Sequence, residues 1–221
     1  METDLTLRYN YAPPTCSRAD GTNPLIVMAH GYGADENDLF SMAGEFPPVF
    51  HVVAPRAPLD LLYGGAAWYS LDFQGERMVS DIPQAVAARE RLAEFVAEAA
   101  RKYGVAPHDV WLLGFSQGAI LSYGILSRYP ERVRYYLPLS GYIEPGIVGP
   151  EVAPGDRSAI KVLAMHGTQD PVIPIEAGRG VQTFLKRLGV DFRFHEFPIG
   201  HGISWEGMGR IRSWVDEQLK G

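Results

Sequence analysis

Six short apolar runs punctuate the chain, at residues 25–29, 50–54, 110–115, 133–139, 160–165 and 192–197. They are rich in Val, Ile, Leu and aromatic residues, and their apolarity is continuous rather than alternating, which predicts strands buried on both faces. Residues 5–9 alternate apolar and polar instead, which predicts an edge strand with one wet face. Segments of helical period lie between the runs. The clearest starts at Asp81, a good N-cap, and places Ile82, Val86, Leu92, Phe95, Val96 and Ala99 on its apolar side as far as Tyr103, with Gly104 as stop signal and Pro107 beyond. Further helices are predicted at about 35–45, 117–129, 175–188 and 204–219.

Strands alternating with helices imply right-handed crossovers, hence an α/β fold with a mostly parallel sheet and helices on both faces. No repeat, low-complexity tract or linker divides residues 1–221, so one domain is expected. The longest irregular stretches, 55–80 and 141–158, are rich in Gly and Pro, and loops of that length in a compact domain tend to be functional. Any cap over the sheet would need helices in a long connection, such as the one after the run that ends near Leu139. The roughly 20 residues available there include Pro145, Gly146, Gly149, Pro150, Pro154 and Gly155, too broken for helices, so no large cap domain is expected.

Composition narrows the classes of function. With 46% hydrophobic and 21% charged residues the chain can bury a sizeable core. Twenty Lys and Arg against 26 Asp and Glu give a net charge of −6, which opposes binding to nucleic acid or to anionic lipid. Cys16 is the only cysteine, so an internal disulfide and a Cys-based zinc site are excluded, as suits a reducing cytosol. The first residues carry acids rather than the apolar stretch of a signal peptide, and no segment approaches the roughly 20 apolar residues of a membrane span. A cytoplasmic protein, monomer or homodimer, without integral membrane association, is expected.

In a parallel sheet, ligands bind beyond the carboxyl ends of the strands, which sorts the histidines. His51 and His108 precede strands and His195 lies inside one, whereas His30, His166 and His201 follow strands. At one such end stands Gly114-Phe115-Ser116-Gln117-Gly118, a G-x-S-x-G run between an apolar strand and a helix, the context of a nucleophile elbow. With 11 serines and 24 glycines, chance supplies only about 0.13 such runs before any context is required. A serine there needs a base, and the base needs an orienting acid.

The chain order for this fold is Ser, acid, His, which selects His201 in Gly200-His201-Gly202 as base, with His166 as competitor. Asp170, on the loop after run 160–165, is the acid at the correct sheet edge; Asp156 and Asp191 sit at the wrong one, and Glu144 is the remaining rival. One oxyanion-binding N–H should come from Gln117 and the other from the loop after the first buried strand, His30-Gly31-Tyr32-Gly33-Ala34-Asp35.

Taken together, Gly-Phe-Ser-Gln-Gly at 114–118, His-Gly-x-Gly-x-Asp at 30–35, His-Gly-x-x-Asp-Pro-Val-Ile-Pro at 166–174 and Gly-His-Gly at 200–202 resemble the phospholipase/carboxylesterase family of α/β hydrolases, which includes the acyl-protein thioesterases. The resemblance runs from about residue 24 to the C-terminus. It implies Ser116, Asp170 and His201 as triad, the backbone N–H groups of Tyr32 and Gln117 as oxyanion hole, no cofactor or metal, and a small-molecule ester or thioester as substrate. Where relatives often have Trp, an aromatic residue and Asp, this chain has Trp68-Tyr69-Ser70. Trp68 and Tyr69 are expected to line the substrate groove, packing being the alternative.

Two other classes compete. A metal-dependent hydrolase would use His30, Asp35, His166, Asp170 and His201, but no H-E-x-x-H or comparable spacing is present. A non-catalytic receptor on the hydrolase fold is opposed by an intact nucleophile, base and acid.

Overall fold

Strand residues of alternating direction feed two separate cores, and this two-sidedness explains why the runs are continuously apolar. In β2 (Leu25–Ala29), Leu25, Val27 and Ala29 point to one face while Ile26 and Met28 point to the other. In β8 (Val110–Phe115), Val110 and Leu112 share the first core and Trp111 and Leu113 the second. The first core is closed by α1 (Ile82–Tyr103), α2 (Gln117–Arg128) and α4 (Ile175–Leu188), the second by α5 (Trp205–Gln218) and the 3-10 helix Leu39–Glu45.

The computed structural model describes residues 1–74, 77–150 and 157–220. The remaining main-sheet strands are β1 (Tyr9–Ala12), β3 (His51–Pro55), β9 (Tyr135–Leu139), β10 (Lys161–Gly167) and β11 (Asp191–Phe197), and the seven run in the order β1-β3-β2-β8-β9-β10-β11. Only β1 is antiparallel to its neighbour; the other pairs are parallel. Within residues 55–80 lie two small antiparallel pairs, β4 (Leu59–Asp60) with β5 (Ala66–Ala67), and β6 (Leu71–Gln74) with β7 (Arg77–Ser80). The chain order reverses at β2, which has β3 on one side and β8 on the other, and a crevice at such a switch point is where α/β sheets place ligands.

α1 matches its sequence reading at both ends: Asp81 accepts a bond from Gln84 N–H at 3.0 Å, and Gly104 closes the helix in the left-handed conformation at φ 70°. Three readings are corrected. Run 192–197, expected to be buried on both faces, is the edge strand β11, in which only Phe197 is buried because no described strand lies beyond it. The opposite edge strand is Tyr9–Ala12, paired with β3, and not residues 5–9. The chain before it folds back, with Glu2 and Tyr9 exchanging both backbone bonds at 2.7 and 3.0 Å, so residues 5–8 form a loop whose Leu7 reaches the core beside Tyr9, the first residue of β1. The predicted helix 35–45 becomes a run of turns and the 3-10 helix Leu39–Glu45: the segment is short, contains Gly44 and is followed closely by Pro47 and Pro48, a poor sequence for an α-helix.

Between β9 and β10 the described residues hold only α3 (Pro145–Val148), a single turn, and no cap domain is seen among them. Pro154, Gly155 and Asp156 lie outside the described residues. No described helix is long and apolar enough to cross a membrane.

Candidate active site

Ser116 sits between β8 and α2 at φ 53° and ψ −114°, a conformation L residues rarely adopt, with its N–H bonded to Leu139 C=O at 3.0 Å. The flanking glycines make this turn sterically possible. A Cβ on Gly114 would stand 2.4 Å from Gly118 O, and one on Gly118 would stand 2.0 Å from Ala29 O. Strand, turn and helix are thus in backbone contact, and Ser116 is carried to the rim of the sheet above the N-terminus of α2.

The Ser116 hydroxyl meets His201 Nε2 at 3.0 Å, and His201 Nδ1–H donates to Asp170 Oδ2 at 2.7 Å. The Asp170 side chain has no solvent exposure and that of His201 has 17%. Burial alone would raise the Asp170 pKa, but the bond from His201 and those from the Ile173 and Val172 N–H groups, at 2.9 and 2.8 Å, outweigh it and hold the carboxyl below its usual 3.8. The two loops that carry acid and imidazole are tied to each other: Thr168 N–H donates to Phe197 O at 2.8 Å and Gln169 N–H to Ile199 O at 3.0 Å. A carboxylate, imidazole and hydroxyl chained in this way can withdraw the serine proton as the oxygen attacks a carbonyl carbon.

The rivals are occupied otherwise. His166 is buried and donates from Nε2 to Ile173 O at 2.8 Å, bracing the Asp170 loop from beneath. Glu144 caps α3 by accepting from Gly146 N–H at 3.3 Å, and Asp191 pairs with Lys161 at the opposite sheet edge at 2.7 Å. His30 is also structural: Ala57 N–H donates to its Nε2 at 3.0 Å, which leaves Nδ1–H to bond Gly31 O at 2.7 Å. Among the described residues no three His, Cys, Asp or Glu side chains form a set that could hold a metal.

The loop 30–35 crosses close above the elbow; a Cβ on residue 31 would lie 3.2 Å from Ser116 Cβ. Neither the Tyr32 N–H nor that of Gln117, the first residue of α2, has an acceptor among the described residues. The residues next to Ser116 and next to Gly31 thus each carry a backbone N–H without an acceptor among the described residues. Trp68 and Tyr69, expected to line the groove, are corrected to core residues, 1% and 0% exposed. The reason is backbone capture. The Gln117 amide takes Trp68 N–H at 3.0 Å and Tyr69 C=O at 2.8 Å, and Trp68 Nε1–H donates to His30 O at 2.8 Å, so both rings are turned inward onto the sheet.

Some contributors carried no sequence signal. The Arg56 guanidinium bonds buried Glu36 at 3.0 Å, Asp60 at 2.7 Å and Gly65 O at 3.0 Å, binding the two loops beside the serine, yet nothing local in the sequence marks it. The side-chain amide of Gln117 was equally silent, because the role expected at that position calls only on its backbone.

Carboxylesterase SOBER1 of Arabidopsis thaliana is 33% identical over 119 residues, 53% of this chain and 52% of that one, so the match spans about half the length of that relative. Acyl-protein thioesterase 1 of Kluyveromyces lactis is 26% identical over 220 residues, 92% of this chain and 96% of that one. Among solved structures, esterase PE8 superposes with a TM-score of 0.79 at 30% identity, covering 96% of this chain and 98% of that one. Residues 12–219 match the family described as Phospholipase/Carboxylesterase, and on that match the chain belongs to the phospholipase/carboxylesterase family of α/β hydrolases.

Proposed function

We propose that the protein is a carboxylic ester hydrolase that works through an acyl-enzyme on Ser116, with residues 1–221 acting as one catalytic unit. The observation that carries this reading is the chain from Asp170 Oδ2 through His201 to Ser116 Oγ, at 2.7 and 3.0 Å, on a strained elbow. In acylation, Oγ bonds to the ester carbonyl carbon while its proton passes to His201 Nε2. The carbonyl oxygen becomes an oxyanion facing the N–H groups of Tyr32 and Gln117. The tetrahedral intermediate collapses, the bond to the leaving alkoxide or thiolate breaks, and His201 returns the proton to it. Water then attacks the acyl-enzyme by the same route in reverse, releasing the carboxylic acid. Ionised Asp170 holds Nδ1–H and stabilises the imidazolium formed at each step.

A thioester substrate fits the same steps, and the nearly full-length similarity to an acyl-protein thioesterase favours it as a second reading. Substrates are small esters or thioesters in both readings. Ser116→Ala should keep its fold and lose hydrolysis by several orders of magnitude. A folded Ser116→Ala protein, free of contaminating esterase, that turns over an activated ester near the wild-type rate refutes the assignment. Covalent labelling by a fluorophosphonate separates an enzyme from a non-catalytic receptor. Simple esters assayed beside an S-acylated peptide separate the two substrate readings.

A further inference from the structure

We propose that the side-chain amide of Gln117 is a positioning group for oxyanion stabilisation, because it holds segment 65–69 as one strut to which both donor N–H groups are fixed. The inference rests on the reading of Tyr32 and Gln117 as oxyanion donors. Those donors come from different loops, so their spacing depends on whatever joins the loops together.

Segment 65–69 does so at both ends. At one end the Gln117 amide spends both its functions on it, Oε1 accepting from Trp68 N–H at 3.0 Å and Nε2 donating to Tyr69 C=O at 2.8 Å. Gln117 is 2% exposed, so water does not compete for these bonds. At the other end the segment grips the loop on both sides of Tyr32. Before it, His30 O accepts from Trp68 Nε1–H at 2.8 Å. After it, Gly33 N–H donates to Ala66 O at 2.9 Å and Ala66 N–H to Ala34 O at 2.7 Å. Gly65 adds direct backbone contact: at φ +74° a Cβ there would lie 2.0 Å from Gly33 O. The residue that carries one donor on its backbone thereby fixes the other through its side chain.

Removing the amide leaves Trp68 N–H and Tyr69 C=O buried without partners, and the strut shifts to satisfy them. Such a shift separates the donors from the position of the oxyanion, which exists only in the transition state. Binding of the ground-state ester is largely spared.

The test compares Gln117→Leu, which keeps the approximate volume, with wild type in kcat, KM, and the Ki of a trifluoromethyl ketone that forms a serine-bound oxyanion. The expected result is a loss of about 10- to 100-fold in kcat with KM within about twofold, and an analogue affinity weakened by the same factor as kcat/KM. Trp68→Phe, which deletes the tie to His30 O together with part of a buried ring, should show the same signature more weakly and serves if Gln117→Leu does not fold. A folded variant with kcat and Ki within about twofold of wild type, or with a raised KM at unchanged kcat, overturns the proposal. Ser116→Ala run alongside tells the two failures apart: loss of activity there with no effect at Gln117 sinks the strut alone, whereas retained activity sinks the catalytic reading beneath it.

Discussion

Asp170 shows how burial and hydrogen bonding trade against each other at one residue. Its side chain is closed off from solvent, which by itself raises the pKa, yet three N–H groups aimed at its two oxygens keep it ionised. The sign for stability follows from linkage: a carboxyl bound more tightly as the anion in the folded state contributes stability that is fully present above its unfolded value near 3.8, and this is lost as pH falls through the lower folded value. Asp170→Asn should remove that contribution, so that the urea midpoint of the variant depends less on pH in this acid window. It should also lower kcat by roughly 10⁴-fold near neutrality, since an amide no longer enforces the Nδ1–H tautomer of His201. Wild-type kcat in Asp170→Asn, with loss in Glu144→Gln, assigns the acid to the other carboxylate. The positions of Ser116, Asp170 and His201 were legible because each lies in a short motif just past a strand, where chain order and sheet geometry leave few options. Trp68 and Tyr69 were misread since exposure is decided by partners remote in sequence, here the Gln117 amide and the His30 carbonyl.

At the scale of elements, the elbow depends on the contact between α2 and β2 as much as on β8. The Gly118 Cα faces the Ala29 carbonyl so closely that a methyl group would overlap it at 2.0 Å, and the atom to be displaced is backbone in a central strand. Gly118→Ala should therefore cost about 1–3 kcal/mol or more in chemical denaturation, with loss of fluorophosphonate labelling as Ser116 is pushed off its position. Unchanged labelling at wild-type stability means that the helix can recede from β2 at no expense. Elements with local signals were read correctly: α1 has Asp81 and Gly104 at its ends, and continuous apolarity marked the central strands, whereas run 192–197 proved to be the mostly unburied edge strand β11. Misreadings fell where the local pattern was short or its partner remote. The segment 35–45 is short and contains Gly44, and near Glu2 a backbone bridge to Tyr9 moved the start of the edge strand.

On the scale of the whole molecule, the reversal of strand order at β2 brings the loop 30–35 beside the elbow, while β10 and β11 deliver acid and imidazole from the other side. No cap domain is seen over this edge among the described residues; the stretch after β9 contributes a single helical turn whose Ile147 and Val148 face the core. Apolar side chains at the rim stay open to water, Tyr32 at 45% and Val172 at 48% exposure. An acyl chain lying on such a surface gains hydrophobic contact only over its first few carbons. Full burial is worth about 0.8 kcal/mol per methylene, roughly a fourfold gain in kcat/KM for each, and a half-exposed chain gains correspondingly less. Specificity should accordingly climb from acetyl over the first few methylenes and then level off, giving a preference for short to medium chains. The measurement is kcat/KM for p-nitrophenyl esters from acetyl to palmitoyl, each below its aggregation limit. A climb that continues to the longest chain, or a jump in rate on contact with a lipid interface, requires an enclosed tunnel or a moving lid and contradicts an uncapped site.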